Sequence, residues 1–277
     1  MLPAILDYAA PKTVQDAVKA LASQPDAMVL AGSYREVIDL KMRRITPRRV
    51  IDLRKIPELH GVKADGSGLR IGAMTTLREI MADKSVQSGF AALAEAAAAS
   101  GDPQARNMDA IGGSLTYNAS NSDVAAAVLA LGGILHLAGA RGERTVAASD
   151  FFSAGATRGE IVTAISLPGS SAVSAYEKFK NPATLTAVCG VAVSLTPSSA
   201  SNVQQCAFGV TGATGHPVRL SSAEAALQGQ PLNKQTIERA ASVAGKGLDF
   251  VSDLQFSGEY RAHLVQVLLK RALTRFI

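Results

Sequence analysis

The feature that most constrains the fold is the order of patterns in the C-terminal part of the chain, where strand-like segments come first and helical ones follow. The strand-like segments read "SAYEKFK", "LTAVCGVAVSL" and "VQQCAFGVTG", and the helical ones read "SSAEAALQG", "NKQTIERAASVAGK" and "SGEYRAHLVQVLLKRALTRF". Successive strands without a helix between them pair as an antiparallel sheet, and the helices that follow pack on its face. This part is predicted to be a small α+β domain with a three-stranded antiparallel sheet and helices.

The N-terminal part mixes helices and strands. "KTVQDAVKALAS", with Thr13 as the N-cap, "TTLREIMAD" and "GFAALAEAAAAS" have helical spacing, whereas "AMVLAG", "RRVIDL", "LRIGAM", "GILHLAG", "ERTVAA" and "EIVTAISLP" read as strands. Pro168 and the "GSSAVS" segment then interrupt the pattern. A chain of 277 residues suits about two domains. The sequence predicts a larger domain over 1–170 and a smaller one over 171–277.

Composition and charge exclude several classes of protein. Hydrophobic residues make up 47% of the chain and charged ones 18%, which is typical of a globular fold. A net charge of +5 is too mild for a nucleic-acid binder. The longest apolar run, residues 124–140, is interrupted by Gly132 and Gly133 and is shorter than the roughly 20 residues of a membrane span. With no basic leader and apolar signal segment at its start, the chain is expected to be cytoplasmic.

Most catalytic signatures are missing from the sequence. Cys189 and Cys206 lie in apolar strand-like runs, and two thiols cannot hold an iron–sulfur cluster that needs about four. Neither a phosphate loop nor a G-x-G-x-x-G fingerprint is present, and "GGSLT" lacks the second glycine of a nucleophile elbow. The histidines have no metal-ligand spacing; they are His60, His136, His216 and His263. A hydrolase or a metalloenzyme is disfavoured.

The segment from Lys41 to Lys55, "KMRRITPRRVIDLRK", is densely basic. Such a run is either a solvated face or a surface for an acidic partner. Nucleic acid is the least favoured reading, because aromatic residues do not alternate with the charges.

Two glycine-containing segments are candidates for binding an anion. Gly32 directly follows a strand in "LAGSYREV", and Gly112 and Gly113 precede an apolar run in "DAIGGSLTYNASNSD". Bare backbone amides in such turns form concave nests, and two facing nests would suit a pyrophosphate. Asp123 could then accept hydrogen bonds from sugar-like hydroxyls. Taken alone, each segment could equally be a purely structural turn.

The order of these segments resembles that of one known family. "VLAGSYREVIDLKM", "RVIDLRKIPELHGV", "LRIGAMTTLREI", "ARNMDAIGGSL" and "GEIVTAISLP" are similar in sequence and spacing to the flavoprotein (medium) subunit of the molybdenum hydroxylases, which includes carbon monoxide dehydrogenase medium chains and the FAD domain of xanthine dehydrogenase. "YEKFK", "VCGVAVSL" and "SGEYRAHLVQVLLKRAL" extend the resemblance over nearly the whole chain. The "IDLRKIPEL" and "IGAMTT" blocks are the distinctive ones.

The resemblance implies a vanillyl-alcohol-oxidase-type FAD-binding domain of two subdomains, about 1–55 and 56–170, plus a C-terminal flavoprotein domain. It implies no catalytic or metal-binding residue on this chain. The pyrophosphate would be held by two segments containing Ala31, Gly32, Ser33, Tyr34 and Arg35, and Ala110, Ile111, Gly112, Gly113 and Ser114. Asp123 would meet ribityl or ribose hydroxyls. Further residues would lie near or flank the flavin: Gly72, Thr75, Thr76, Val162 and Lys180.

The implied activity is electron transfer within a complex. A large molybdopterin-binding subunit would hydroxylate the substrate, and a small subunit would relay electrons through two [2Fe–2S] clusters to FAD on this chain. The final acceptor would be NAD⁺, oxygen, a quinone or another carrier, with the protein supplying binding and electrostatics. The assembly would be a dimer of heterotrimers without a membrane span.

The sequence departs from the family in both glycine segments. The usual A-G-G-T-D-L is "AGSYREV" here, and the usual T-I-G-G-N is "AIGGS", which lacks a hydroxyl at Ala110 and an amide at Ser114. FAD is therefore expected to bind more weakly than in members with the unaltered segments. The alternatives are a flavin-free scaffold subunit of the same complex, in which Tyr34 and Glu36 obstruct the site, and a stand-alone flavin reductase.

Overall fold

The structure is a computed structural model that describes residues 2–24, 26–32, 34–117, 119–155, 159–197 and 202–277. The strands are β1 (Asp7–Ala9), β2 (Ala27–Leu30), β3 (Arg49–Asp52), β4 (Val62–Asp65), β5 (Gly68–Gly72), β6 (Ile134–Gly139), β7 (Gly142–Ala147), β8 (Glu160–Leu167), β9 (Val173–Lys180), β10 (Ala187–Pro197), β11 (Val203–Thr211) and β12 (Val218–Arg219).

The helices are α1 (Val14–Ala22), α2 (Tyr34–Lys41), α3 (Leu77–Ala82), α4 (Lys84–Gly89), α5 (Ala91–Ala99), α6 (Pro103–Met108), α7 (Ile111–Thr116), α8 (Asp123–Ala130), α9 (Ala148–Ala154), α10 (Ser221–Leu227), α11 (Lys234–Ser242) and α12 (Gly258–Thr274). No helix in the described ranges is long and apolar enough to cross a bilayer.

The first layer is a parallel sheet in the order β1-β3-β2. Helix α1 begins where the sequence predicts, because the Thr13 side chain accepts a hydrogen bond from the amide of Asp16 at 3.1 Å. The helix buries Val14, Ala17 and Leu21, the stripe expected from its spacing. Helix α2 is the crossover between the parallel strands β2 and β3.

The second layer is an antiparallel sheet in the order β4-β5-β8-β6-β7, covered by helices. Helix α3 opens with a capping box, in which Thr76 and Glu79 satisfy each other's backbone amides. Helix α8 is buried along its whole length, and its alanines let it lie between this layer and the next. The residues of α5 pack in the same core.

The third layer is the C-terminal sheet, β12-β11-β10-β9, whose three long antiparallel strands are those predicted, with the two-residue β12 added at one edge. Helix α12 covers one face, and α5 and α8 pack against the same strands. Strand β10 is consequently buried almost throughout. The α+β architecture expected from the sequence is confirmed.

Both glycine segments were expected to be turns. Gly32 does lie in a bend directly after β2, with φ +83°. "IGGSLT", by contrast, forms helix α7, and residues from Tyr34 onward form the first turn of α2. Glycine disfavours a helix interior by about 1 kcal/mol. Tertiary contact outweighs this cost, because a Cβ on Gly112 would come within 2.8 Å of the Ala73 Cβ and only glycine lets the two backbones meet.

Candidate cofactor site

A cavity of about 460 Å³ lies where α2, α6, α7 and the start of α8 face the loop that follows β9. Its walls carry more carboxylates than cations: Glu36, Asp39, Asp102, Asp109 and Asp123 against Arg35 and Arg44. The wall opposite these helices is formed by the loop segment 183–186. The cavity therefore involves both the N-terminal layers and the C-terminal part of the chain.

The amide of Gly113 is the donor that α7 offers to this cavity. A helix leaves its first amides without intrahelical acceptors. Here Ile111 donates to the Thr75 carbonyl at 3.0 Å and Gly112 donates to the Ala73 carbonyl at 2.8 Å. Ala110 at the N-cap has no side-chain oxygen, and no acceptor among the described residues takes the N–H of Gly113. A buried cavity-lining donor is thus left for a ligand.

Arg35 and Asp39 connect α2 to the opposite wall. The Nη1 of Arg35 donates to Oδ1 of Asn121 at 3.2 Å, which holds the guanidinium across the cavity. The hydroxyl of Tyr117, at the end of α7, donates to Oδ2 of Asp39 at 2.7 Å. That bond, with help from Arg44, lowers the pKa of the Asp39 carboxyl below its ordinary value. Arg44 is engaged by Asp39, so Arg35 is the cation of this wall without a carboxylate hydrogen bond in the described part.

Asp123 begins α8 and its carboxylate is part of a buried network. Oδ1 accepts from the Tyr176 hydroxyl at 2.5 Å, and Oδ2 accepts from Ser100 Oγ at 3.0 Å and Lys178 Nζ at 2.9 Å. Burial, followed by the Asp123 charge, raises the pKa of Tyr176 well above its ordinary value. Tyr176 therefore stays neutral and donates to Asp123.

Sequence reasoning missed Tyr176 and Lys178. Strand β9 places Tyr176, Lys178 and Lys180 on one face, because side chains alternate along a strand. A lysine two residues after a buried tyrosine is the signal that could have indicated a buried counter-charge. Sequence reasoning also missed further cavity residues: Asp39, Asp102, Asp109, Tyr117 and Asn121.

Comparison with known proteins identifies the family. The sequence profile of the FAD binding domain in molybdopterin dehydrogenase matches residues 4–170, and that of the CO dehydrogenase flavoprotein C-terminal domain matches residues 174–276. The chain belongs to this flavoprotein family. The resemblance seen in the sequence is confirmed, and with it an oxidoreductase subunit of a family whose cofactor is FAD.

Relatives of this flavoprotein align over almost their whole length. The carbon monoxide dehydrogenase medium chain of Afipia carboxidovorans is 32% identical, over 99% of this chain and 98% of its own. The nicotine 6-hydroxylase medium subunit of Paenarthrobacter nicotinovorans is 31% identical, over 98% and 97%. The solved carbon monoxide dehydrogenase of Hydrogenophaga pseudoflava superimposes with a TM-score of 0.93, at 33% identity over 99% of this chain and 98% of the matched one.

Some of the predicted site residues of this flavoprotein line the cavity, and others do not. The cavity is lined by Ala31, Arg35, Gly113, Ser114 and Asp123. The side chain of Tyr34 and the whole of Ser33 lie outside the described residues. The remaining predicted residues do not line this cavity: Gly32, Gly72, Thr75, Thr76, Ala110, Ile111, Gly112, Val162 and Lys180.

Several of these remaining residues support the wall from behind. The Thr75 carbonyl accepts the first amide of α7, and Thr75 Oγ1 donates to the Gly61 carbonyl at 3.1 Å. Gly32 has φ +83°, and a Cβ there would lie 2.4 Å from the Met108 carbonyl oxygen. Val162 is buried in the second-layer core, whereas Lys180 is exposed at the end of β9.

The residues of the cavity fit a flavin dinucleotide in their chemistry. A pyrophosphate takes hydrogen bonds from backbone amides and from guanidinium groups, which Gly113 and Arg35 provide. Ribityl and ribose hydroxyls donate to carboxylates, which Asp123 provides. The excess of carboxylates in the same walls, among them the buried Glu36, opposes a phosphate.

Proposed function

We propose that this chain is the FAD-binding electron-transfer subunit of a molybdenum hydroxylase complex. It would take electrons from [2Fe–2S] clusters on a partner chain and pass them to an external acceptor. The observation that carries the proposal is the convergence of the free Gly113 amide, the Arg35 guanidinium and the Asp123 carboxylate on one cavity of a family member.

Each of these residues has a binding role in the proposal. Gly113 and Arg35 hold the pyrophosphate, with Ala31 and Ser114 beside them. Asp123 accepts the sugar or ribityl hydroxyls. Val162, Lys180 and the segment from Gly72 to Thr76 stay as proposed neighbours of the flavin. Bound FAD would supply redox chemistry in one- and two-electron steps, while the chain excludes water and sets the orientation.

The proposed partners are a large molybdopterin-binding subunit and a small iron–sulfur subunit, paired as a dimer of heterotrimers. Support comes from relatives that are named medium chain or medium subunit. The segment from Lys41 to Lys55 is the proposed partner-facing surface. Three of its arginines pair with acids of this chain, Arg44, Arg49 and Arg54. The cytoplasmic location stays a prediction.

The cofactor proposal is tested by titrating the purified full-length chain with FAD. We expect quenching of flavin fluorescence at a saturable single site and the visible absorption of a bound flavin. A chain that stays colourless and unsaturated in excess FAD would instead support the flavin-free scaffold.

The assembly proposal is tested separately, by expressing the chain together with a large molybdopterin-binding subunit and a small iron–sulfur subunit from the same organism. Size exclusion at physiological salt should show one species containing all three. A medium chain that elutes alone, with or without FAD, would contradict the assembly and leave the cofactor proposal intact. Elution alone with bound FAD would favour a stand-alone flavin reductase.

A further inference from the structure

The ammonium of Lys178 is at the centre of a buried junction between three segments. Its three protons match three acceptors at 2.9 Å: the Ala99 carbonyl at the end of α5, the Asp123 carboxylate at the start of α8, and the Leu185 carbonyl in the loop after β9. Only 7% of the Lys178 side chain and 6% of the Asp123 side chain are exposed. Every donor of the ammonium is therefore used.

A buried ion pair of this kind contributes little net free energy to the stability of a fold. The desolvation of two buried charges roughly cancels their attraction, and apolar residues of similar size would often serve as well. Such a buried pair can instead fix the positions of the groups that it contacts. Here one partner, Asp123, is also part of the cavity wall.

The Ser100 hydroxyl has an alternative acceptor, so a ligand hydroxyl can replace it as a donor to the Asp123 carboxylate. Its hydroxyl has one proton but two acceptors at 3.0 Å, Oδ2 of Asp123 and the Ala96 carbonyl. The Ser100 proton can turn to Ala96 when a ligand hydroxyl donates to Asp123. The exchange leaves no buried donor without an acceptor, so it avoids the penalty for an unpaired group.

The opposite wall depends on the same ammonium. Leu185 lines the cavity with φ +58°, a left-handed conformation that is unfavourable for a non-glycine residue. Its carbonyl accepts from Lys178, and its amide donates to the Asn181 carbonyl at 2.9 Å. Asn181 Oδ1 in turn accepts from the amides of Ala183 and Thr184. These bonds hold the strained backbone in place.

We propose that Lys178 is a positioning residue for cofactor binding, which fixes Asp123 and Leu185 on the two sides of the cavity. In this arrangement Asp123 accepts a hydrogen bond from a hydroxyl of the dinucleotide. Ser100 then donates to the Ala96 carbonyl instead of to Asp123. The inference rests on the proposed function. Lys178 would not contact the cofactor; it would affect binding by holding Asp123 in position.

The test replaces Lys178 in the full-length chain and measures affinity for FAD and for its two halves, FMN and ADP, by titration and competition. In Lys178→Met we expect the dissociation constants of FAD and of one half to rise at least tenfold, while that of the other half stays within twofold. The reason is that Asp123 meets hydroxyls in only one half. Unchanged affinity for FAD, or equal losses for both halves, would overturn the proposal.

Further variants keep the test decisive. Lys270→Met is the matched control, because Lys270 of α12 forms an exposed ion pair with Glu238 of α11 and does not line the cavity; all three affinities should stay as in the wild type. If Lys178→Met does not fold, Lys178→Met combined with Asp123→Asn leaves no unpaired buried charge and is compared with Asp123→Asn alone. Because Lys178 acts through Asp123, both should lose affinity for the same half to the same extent, and unequal losses would contradict that role. Failure of the wild type to bind FAD would overturn the proposed function, whereas wild-type binding with no split overturns only the role of Lys178.

Discussion

A Cβ on Gly113 would lie 2.4 Å from the carbonyl oxygen of Ala31. These two residues bring the N-terminal end of α7 against the chain that leaves β2, and both line the cavity. The contact is between backbones, so it sets the width of the cavity at this point without depending on any side-chain rotamer.

Gly113→Ala should therefore push α7 away from Ala31. We expect the free energy of unfolding to fall by about 1–3 kcal/mol, as for other overpacked sites, and affinity for FAD to fall roughly tenfold or more. Gly113→Asp adds a negative charge and should abolish binding. Gly89→Ala is the control, since its Cβ meets no atom within 4 Å. Chemical denaturation and FAD titration measure both effects; wild-type stability in Gly113→Ala would contradict the contact.

Arg35→Gln should weaken FAD binding by removing the cavity-lining cation that is not hydrogen-bonded to Asp39. A hydrogen bond to a charged group contributes about 1.5–3 kcal/mol, so we expect a rise in Kd of at least tenfold. The salt dependence of Kd should also become shallower. Arg271→Gln, on an exposed turn of α12, is the matched control and should bind FAD as the wild type does. Equal salt dependence in both variants would count against phosphate contact by Arg35.

Restoring the usual family residues should separate Ser114 from Ala110. Ser114 lines the cavity, so Ser114→Asn should tighten FAD binding by about 0.5–1.5 kcal/mol. Ala110 is a buried N-cap without a side-chain cap, so Ala110→Thr should act on helix stability, by up to about 1 kcal/mol. Thermal melts without FAD and titrations with FAD tell the two effects apart. A gain in affinity from Ala110→Thr alone would show that the wall rearranges on binding.

Tyr117→Phe should change how stability depends on pH. Tyr117, ahead of Arg44, lowers the pKa of Asp39 in the folded chain below its ordinary value of 3.8. The resulting stability is present above that value and is lost as the pH falls through the lower folded pKa. The variant should be less stable than the wild type by about 1–3 kcal/mol at neutral pH. The difference should shrink as the pH falls below 3.8; a difference independent of pH would contradict this origin.

The sequence by itself determined the family and many of the elements, although not the helices α2, α4, α6, α7 and α9. Thr13 and Thr76 mark helix starts by capping, and the alternation of "SAYEKFK" and the buried run of "AVCGVAVSL" specify strands. These signals are local, since each depends on residues a few positions apart. The same locality explains why Gly112 and Gly113 were predicted as a turn: glycine lowers helix propensity, and only the neighbouring Ala73 and Ala31 backbones make the helix favourable.

Tertiary structure alone decided which residues face the cavity. Asp123 was found from the sequence, but its partners Ser100, Tyr176 and Lys178 are 23, 53 and 55 positions away along the chain. Lys178 and Lys180 have the same chemistry and the same strand parity, so no local pattern distinguishes them. Burial does: Lys178 is closed in by α5 and the loop after β9, where its charge needs fixed acceptors, while Lys180 reaches solvent.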